Sequence, residues 1–315
     1  MQTSLSTRQR ILDRWHQYSV LIAFVLICII ASVLNDNFLS GTNVLNIVRQ
    51  TSIIGIVALG QTVVILSGGF DLSVGSVLAL VGAVGLMTLN ASLSPALAVL
   101  ATIGAALVIG AVNGVIVAKG KIAPFIVTLG MMATARSVVL YRTHGGSISG
   151  HGLSYTNIAN GQWLGISYPI YLLVACTLLI WVLLRKTRFG RYIYAIGSNE
   201  KATLLSAVRV DRVKIGAYML CSALVGVAAV IESSRLNAIS SSSSGLSYEL
   251  DSIAAVVIGG TRLNGGQGSI WGTFLGVLIL GILNNMINLM NVSPYLQGLV
   301  KGMIIIIAVL LQRKD

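Results

Sequence analysis

The chain has little charge, and very little of it is negative. Of its 315 residues 10% are charged and only 9 are acidic, whereas about a quarter of a soluble domain is charged. Hydrophobic residues make up 55% and the mean hydropathy is +0.88. A soluble fold of this length cannot hide that much apolar chain in one core, so that class is excluded. The residues that chemistry needs are also scarce. His16, His144 and His151 lie near an end or in a loop, away from any paired acid. No HExxH, GxSxG or CxxC occurs, and no Gly-rich stretch has the Gly-Lys-Ser/Thr ending that cradles phosphate. The sequence therefore predicts no catalytic residue, no metal site, no cofactor, and no nucleotide hydrolysis by this chain. Cys28, Cys176 and Cys221 sit in apolar runs without metal-ligand spacing and read as inert packing residues.

What is present is apolar length. Runs near the roughly 20 residues that cross a bilayer as helix fall at 18–34, 47–66, 74–89, 95–118, 125–140, 169–184, 215–234, 252–258 with its flanks, 270–289 and 295–311. The eighth is short and must borrow polar residues on both sides. The expected fold is all-α, a polytopic bundle of about ten transmembrane helices with both termini cytoplasmic, in which residues 1–315 form one domain. No small-residue cleavage site follows the basic N-terminus, so the first run reads as a retained helix. With the N-terminus inside, Arg8, Arg10, Arg14, Lys119, Lys121, Arg262, Arg313, Lys314 and the basic stretch 185–214 are all cytoplasmic. The outer loops keep Arg142 and Arg235, while Arg49, Arg136 and Lys301 sit near or within spans. This is the positive-inside pattern, and it assigns the net charge of +12 to membrane orientation rather than to nucleic acid.

The outer loops 141–167 and 235–249 are rich in Gly, Ser and Asn, the second carrying SSSSSG at 240–245, and both read as surface loops. Trp163 and Tyr168 suit the water–lipid interface. Gly104, Gly110 and Gly114 permit close helix contact. Two Gly-rich breaks, ILSGGFDLSVGSVLALVG (65–82) and IGGTRLNGGQGSIWGTFLG (258–276), resemble each other, through internal duplication or shared glycine content alone.

Uncharged polar residues inside spans offer either a path for a hydroxylated solute or hydrogen bonds between helices. They are Gln61, Asn113, Asn284, Asn285 and Asn288, with the Asn284–Asn285 pair the best pore candidate. Asp71, in GGFDLSVGS, is either a pore residue or part of a cap, since Asp71 or Ser73 can accept from free amides opening the third helix. Glu232, Glu249 and Asp251 flank the second outer loop and read as its ion pairs or as a partner contact. No span centre clearly supplies the acid that a proton relay needs.

The densest polar stretch is 185–214, RKTRFGRYIYAIGSNEKATLLSAVRVDRVK, with eight of the 21 Lys and Arg residues. A short helix is predicted over 200–208, capped by Ser198 or Asn199, with Glu200 in its first turn and Leu204, Leu205 and Val208 on one apolar face. Such a helix docks in a partner's groove or lies on the bilayer surface.

GGFDLSVGS (68–76), NGVIVAKGKIAPFIVTLGMM (113–132), TRFGRYIYAIGSNEKATLLSAVRV (187–210) and ELDSIAAVVIGGTRLNGGQGSIWGTFLGVLILGILNN (249–285) resemble the permease subunits of ribose-type sugar ABC importers, in order along the whole chain. The resemblance implies a multi-pass permease of the bacterial inner membrane that moves a monosaccharide, ribose or a related pentose or hexose, from periplasm to cytoplasm by alternating access. It implies as partners membrane lipid, a second permease copy, a cytoplasmic ATP-binding cassette subunit and a periplasmic sugar-binding protein. It assigns 197–209, with Gly197, Asn199, Glu200, Ala202, Leu205 and Arg209, to cassette docking. The uniform SSSSSG departs from the usual loop and weakens the expectation of binding-protein contacts there. Gln61, Asp71, Ser73, Asn113, Asn284, Asn285 and Asn288 stand as pathway candidates.

Overall fold

The computed structural model describes the backbone of residues 7–290 and of 296, 298, 299, 302 and 303, with side chains from residue 19 onward except Leu153. In chain order the elements are α1 (Thr7–Leu34), α2 (Gly41–Leu66), α3 (Val74–Ser92), α4 (Pro95–Gly120), α5 (Pro124–Thr143), β1 (Ser147–Ser149), α6 (Leu153–Asn160), β2 (Gln162–Trp163), β3 (Ile166–Ser167), α7 (Tyr168–Lys186), α8 (Arg188–Ser198), α9 (Glu200–Leu205), α10 (Val210–Leu236), β4 (Ala238–Ser240), α11 (Tyr248–Ile258) and α12 (Ile270–Leu289). Among the described residues seven helices are long and apolar enough to cross a membrane: α2, α3, α4, α5, α7, α10 and α12. The protein is a multi-pass helical membrane bundle. Helices stand at nine of the ten expected spans, α11 being the short eighth; the tenth, 295–311, lies outside the described residues.

Side chains set the helix starts. Ser40 accepts from the Asn43 amide, Ser94 from Leu97, Thr187 from Gly190 and Ser269 from Gly272. Inside the helices Thr51, Thr62, Thr102 and Thr177 return their hydroxyls to the carbonyl four residues back, so their burial leaves no unpaired donor.

The core sits where α10 crosses α4, α2 and α3. Small residues let these backbones touch. A methyl group at Gly110 would meet Ser222 and the Tyr218 carbonyl, and one at Gly114 would meet Ile215 at 2.7 Å. Gly104 has nothing within 4 Å, so two of the three glycines expected to pack do so. The outer faces of α4, α5 and α7 remain apolar and exposed, through residues such as Leu100, Val108, Phe125, Ile126 and Leu179; this is the surface that lipid covers.

The loops depart most from expectation. The first of the two loops expected outside, 141–167, is structured, with α6 followed by the β2–β3 hairpin, and α6 is pinned to α10 by Tyr155 Oη···Ser233 Oγ at 2.7 Å. The two outer loops pair as strands, β1 antiparallel to β4. The SSSSSG stretch is not a surface loop throughout: Ser241 and Ser244 are buried. Ile239 packs where a methyl at Gly82 would lie, whereas the Gly245 carbonyl crowds Gly75. Seven residues at 1.5 Å each make this a descent of about 10 Å into the bundle. Serine suits the descent because its hydroxyls pair locally. Ser244 Oγ accepts from the Ser240 amide (3.1 Å) and Ser241 Oγ donates to the Gly146 carbonyl (2.7 Å). Arg136 Nη1 donates to the carbonyls of Ser241 and Ser244 at 2.7 and 3.1 Å, so the non-helical backbone is paired to protein, as membrane depth requires. α11 then starts inside the bundle, which is why the eighth span is short.

Candidate functional site

At the end of the bundle expected to be cytoplasmic, Thr187 turns α7 into α8. The tight corner is possible because Gly190 lies against the Leu184 backbone. Gly190, Ile193 and Ile196 face the bundle and are buried; their 3-residue spacing was the available signal for this helix, which lies outside the predicted 200–208. Asn199 closes α8 and opens α9: its amide donates to the Ala195 carbonyl (2.9 Å), and its Oδ1 accepts from the Ala202 amide (2.9 Å). α9 ends at Leu205, earlier than predicted, because the chain turns through Ala207 at φ 59°. Val208 accordingly leaves the proposed apolar face and packs on the core. Thr203 faces inward, while Ala202 and Arg209 are exposed and Leu204 and Leu205 are 61% and 88% exposed. Glu200 Oε2 meets Lys214 Nζ at 2.8 Å, tying α9 to the base of α10 by a surface pair worth at most about 1 kcal/mol. Burial pushes the Tyr194 phenol above its ordinary range against the opposing effect of Arg185, and its hydroxyl donates to the Gly268 carbonyl at 3.1 Å.

Gly197 is where this loop meets the bundle. The Leu66 carbonyl ending α2 accepts from the Gly266 amide at 3.0 Å. A Cβ on Gly197 would fall 1.9 Å from that carbonyl oxygen and 2.4 Å from the Gly266 nitrogen. No side chain fits, so the two Gly-rich breaks and the basic loop meet backbone to backbone. Gly68, Gly265 and Gly266 turn there at φ 82°, 85° and 73°.

Four pathway candidates converge just beyond that junction. Asp71 Oδ1 accepts from Ser73 N (2.9 Å) and Ser73 Oγ (2.5 Å), and Ser73 Oγ accepts from Asn113 Nδ2 (3.1 Å). The Gln61 amide, assigned from its partners, brackets the Asp71 peptide, accepting from its N–H at 3.3 Å and donating to its C=O at 3.2 Å. Tyr218 Oη donates to the Phe70 carbonyl at 3.1 Å. Gln61, Asp71, Ser73 and Asn113 are each 0% exposed. Asp71 thus caps the amide of Ser73, and Ser73 itself makes no side-chain cap.

The asparagines of α12 lie elsewhere. Asn285 and Asn43 exchange two hydrogen bonds, 2.9 and 3.2 Å, between α12 and the start of α2. Asn288 is exposed. Asn284 lines a cavity of about 550 Å³ with Asn46, Arg49, Gln50, Thr51 and Arg235. Arg49 Nη2 donates to Asn160 Oδ1 of α6 at 2.8 Å. Sequence reading did not single out Asn46, Arg49, Gln50 and Arg235 as one site. The signal was the 46, 49, 50 spacing, which puts three polar groups on one helix face. Glu232 and Asp251 are buried rather than displayed, and Glu249 lies against Gly75.

Residues 43–309 match the family described as branched-chain amino acid transport system / permease component. The chain is 48% identical over 293 residues to the ribose import permease protein RbsC of Bacillus subtilis, covering 92% of this chain and 90% of that protein. It is 36% identical to the L-arabinose transport system permease protein AraH of Escherichia coli (95% and 91% covered) and 34% identical to that organism's D-allose transport system permease protein AlsC (95% and 92%). No solved structure matches.

Proposed function

This chain belongs to the permease-component family, among the ribose-type ABC-importer permeases, and we propose that it carries a monosaccharide, ribose or a near relative, across the bacterial inner membrane. It is not itself an enzyme; a separate cassette subunit hydrolyses ATP, and a periplasmic binding protein delivers the sugar. We further propose that the whole chain is one permease domain of ten spans with both ends cytoplasmic. Two copies enclose the pathway.

The observation that carries this reading is α9. A capped helix stands off the cytoplasmic end of a membrane bundle with Leu204 and Leu205 bare and with Gly197 behind it seated on the bundle's backbone. An apolar pair so exposed in water marks a protein contact. In this role Asn199 shapes the helix, Glu200 fixes it to α10, and Ala202, Leu205 and Arg209 meet the cassette. The polar face of α2 supplies the outer mouth, since Asn46, Arg49 and Gln50 are costly against lipid and face water or a second copy instead. The weak, donor-rich lining suits passage, with selectivity left to the binding protein. Gln61, Asp71, Ser73 and Asn113 brace the first break.

The test is ATP hydrolysis by the complete complex in nanodiscs, with ribose-, arabinose- and allose-loaded binding proteins. One loaded protein should stimulate hydrolysis, and Ala202→Asp should abolish that stimulation while the bundle stays folded. Sugar uptake that needs neither ATP nor a cassette subunit would overturn the reading.

A further inference from the structure

Residues 66–75 touch both the α8–α9 loop and the descending serine loop. At one end the Leu66 carbonyl is in contact with Gly197 and holds the Gly266 amide. At the other, a Cβ on Gly75 would fall 2.1 Å from the Gly245 carbonyl oxygen and 2.8 Å from Glu249 Oε2. Gly245, at φ 66°, is the floor of the descending serine loop, which Arg136 holds by two carbonyls. Between these contacts the segment is stiffened by the Asp71, Ser73, Gln61 and Asn113 network and by Tyr218 on Phe70.

We infer that residues 66–75 form a lever that carries movement of the α8–α9 loop to the descending outer loop 240–247. The inference rests on the importer reading, which supplies the moving cassette. Three features make transmission physical rather than a matter of proximity. The contacts at both ends are backbone against backbone, where no side chain can yield. Buried hydrogen bonds fix the intervening residues, so the segment shifts as a unit. The serine loop joins α11, so displacement of Gly245 moves the start of that short helix. The second break shares the inner contact through Gly266, and Tyr194 to Gly268 binds it to the same loop.

The experiment reads the outer loop while the cassettes work. Ser242, exposed in that loop, is changed to Cys in a chain with Cys28 and Cys176 replaced by Ala. The complete complex in nanodiscs is labelled with a membrane-impermeant maleimide, nucleotide-free and ATP-trapped. We expect the labelling rate to differ at least about fivefold between the two states, the lower end of the usual allosteric coupling. Arg136→Gln, at the serine-loop end, should erase the difference. Tyr194→Phe, a milder change, should reduce it, and Gly104→Ala, at an open position, should leave it intact. The lever is overturned by unchanged nucleotide dependence in both Tyr194→Phe and Arg136→Gln, or by equal labelling in the two states before any of these changes. If no cassette subunit co-purifies with the unaltered chain, the importer reading fails first and the lever with it.

Discussion

Two polar clusters interrupt this apolar bundle, and they are built in opposite ways. Around Asp71 every participating side chain is fully buried and bonded to another group of the same cluster. Around Arg49 the side chains of Asn46, Arg49, Gln50, Arg235 and Asn284 are exposed or partly exposed and line open volume. The closed cluster spends most of its hydrogen-bonding capacity on itself, leaving Asp71 Oδ2 and Asn113 Oδ1 without a partner, and so holds backbone in place. An open one keeps donors for a passing solute. Polarity within a membrane span therefore does not mark a pathway by itself; in the proposed reading, unsatisfied capacity facing a cavity does.

Substitution at Asp71 tests this contrast with the largest expected effect. Asp71→Ala strips the Ser73 amide and hydroxyl of their acceptor in a buried site, and a buried polar group left unpaired costs about 1–3 kcal/mol. The expected outcome is a thermal unfolding midpoint in detergent lowered by several degrees and a low yield of folded protein. An unchanged midpoint would remove the distinction between the clusters. Arg49→Ala should behave in the reverse manner. Its midpoint should stay within about 1 kcal/mol of the parent, as for partly exposed sites, while sugar uptake by the complete complex falls about fivefold, the loss expected from one weak contact near 1 kcal/mol. Loss of stability without loss of uptake would make Arg49 a brace like Asp71. Asp71→Asn sharpens the point: the amide oxygen still accepts from Ser73, so uptake should stay within about twofold of the parent, whereas a pathway carboxylate would not tolerate the change.

The sequence reading and the structure agree where single residues carry the information. Apolar runs of sufficient length become helices at nine expected places, and Asn199 does cap the helix that follows it. They part where composition is ambiguous. SSSSSG reads as a solvated turn because serine serves there equally well; that it descends instead is decided by Arg136 and Gly75, which are 105 and 170 positions away. Gln61, Asp71, Ser73 and Asn113 are visible singly, yet their closure into one network depends on α2, α3 and α4 meeting, which no local pattern encodes. Tertiary contact likewise separates Val208 from Leu204 and Leu205, whose common apolar character suggests a shared face.

The smallest expected effect comes from Asn285, which lies one residue from the cavity yet belongs to neither cluster. Its side chain faces Asn43 rather than the open volume, and the pair exchanges two hydrogen bonds across α12 and α2. Asn285→Ala removes both, but Asn43 Nδ2 keeps a bond to the Phe38 carbonyl at 2.9 Å, so the partner is not stranded. Hydrogen bonds between membrane helices average about 0.6 kcal/mol each, and the unfolding midpoint should fall by no more than the loss of two such bonds, about 1.2 kcal/mol, implies. Uptake should be unaffected. Its neighbour Asn284, turned about 100° round the helix and lining the cavity, should give the opposite pair of results on replacement by Ala: lower uptake at an unchanged midpoint. Adjacent residues of one type, separated by readout alone, would show that orientation toward open volume, rather than polarity or position along the span, distinguishes a pathway residue from a brace in this bundle.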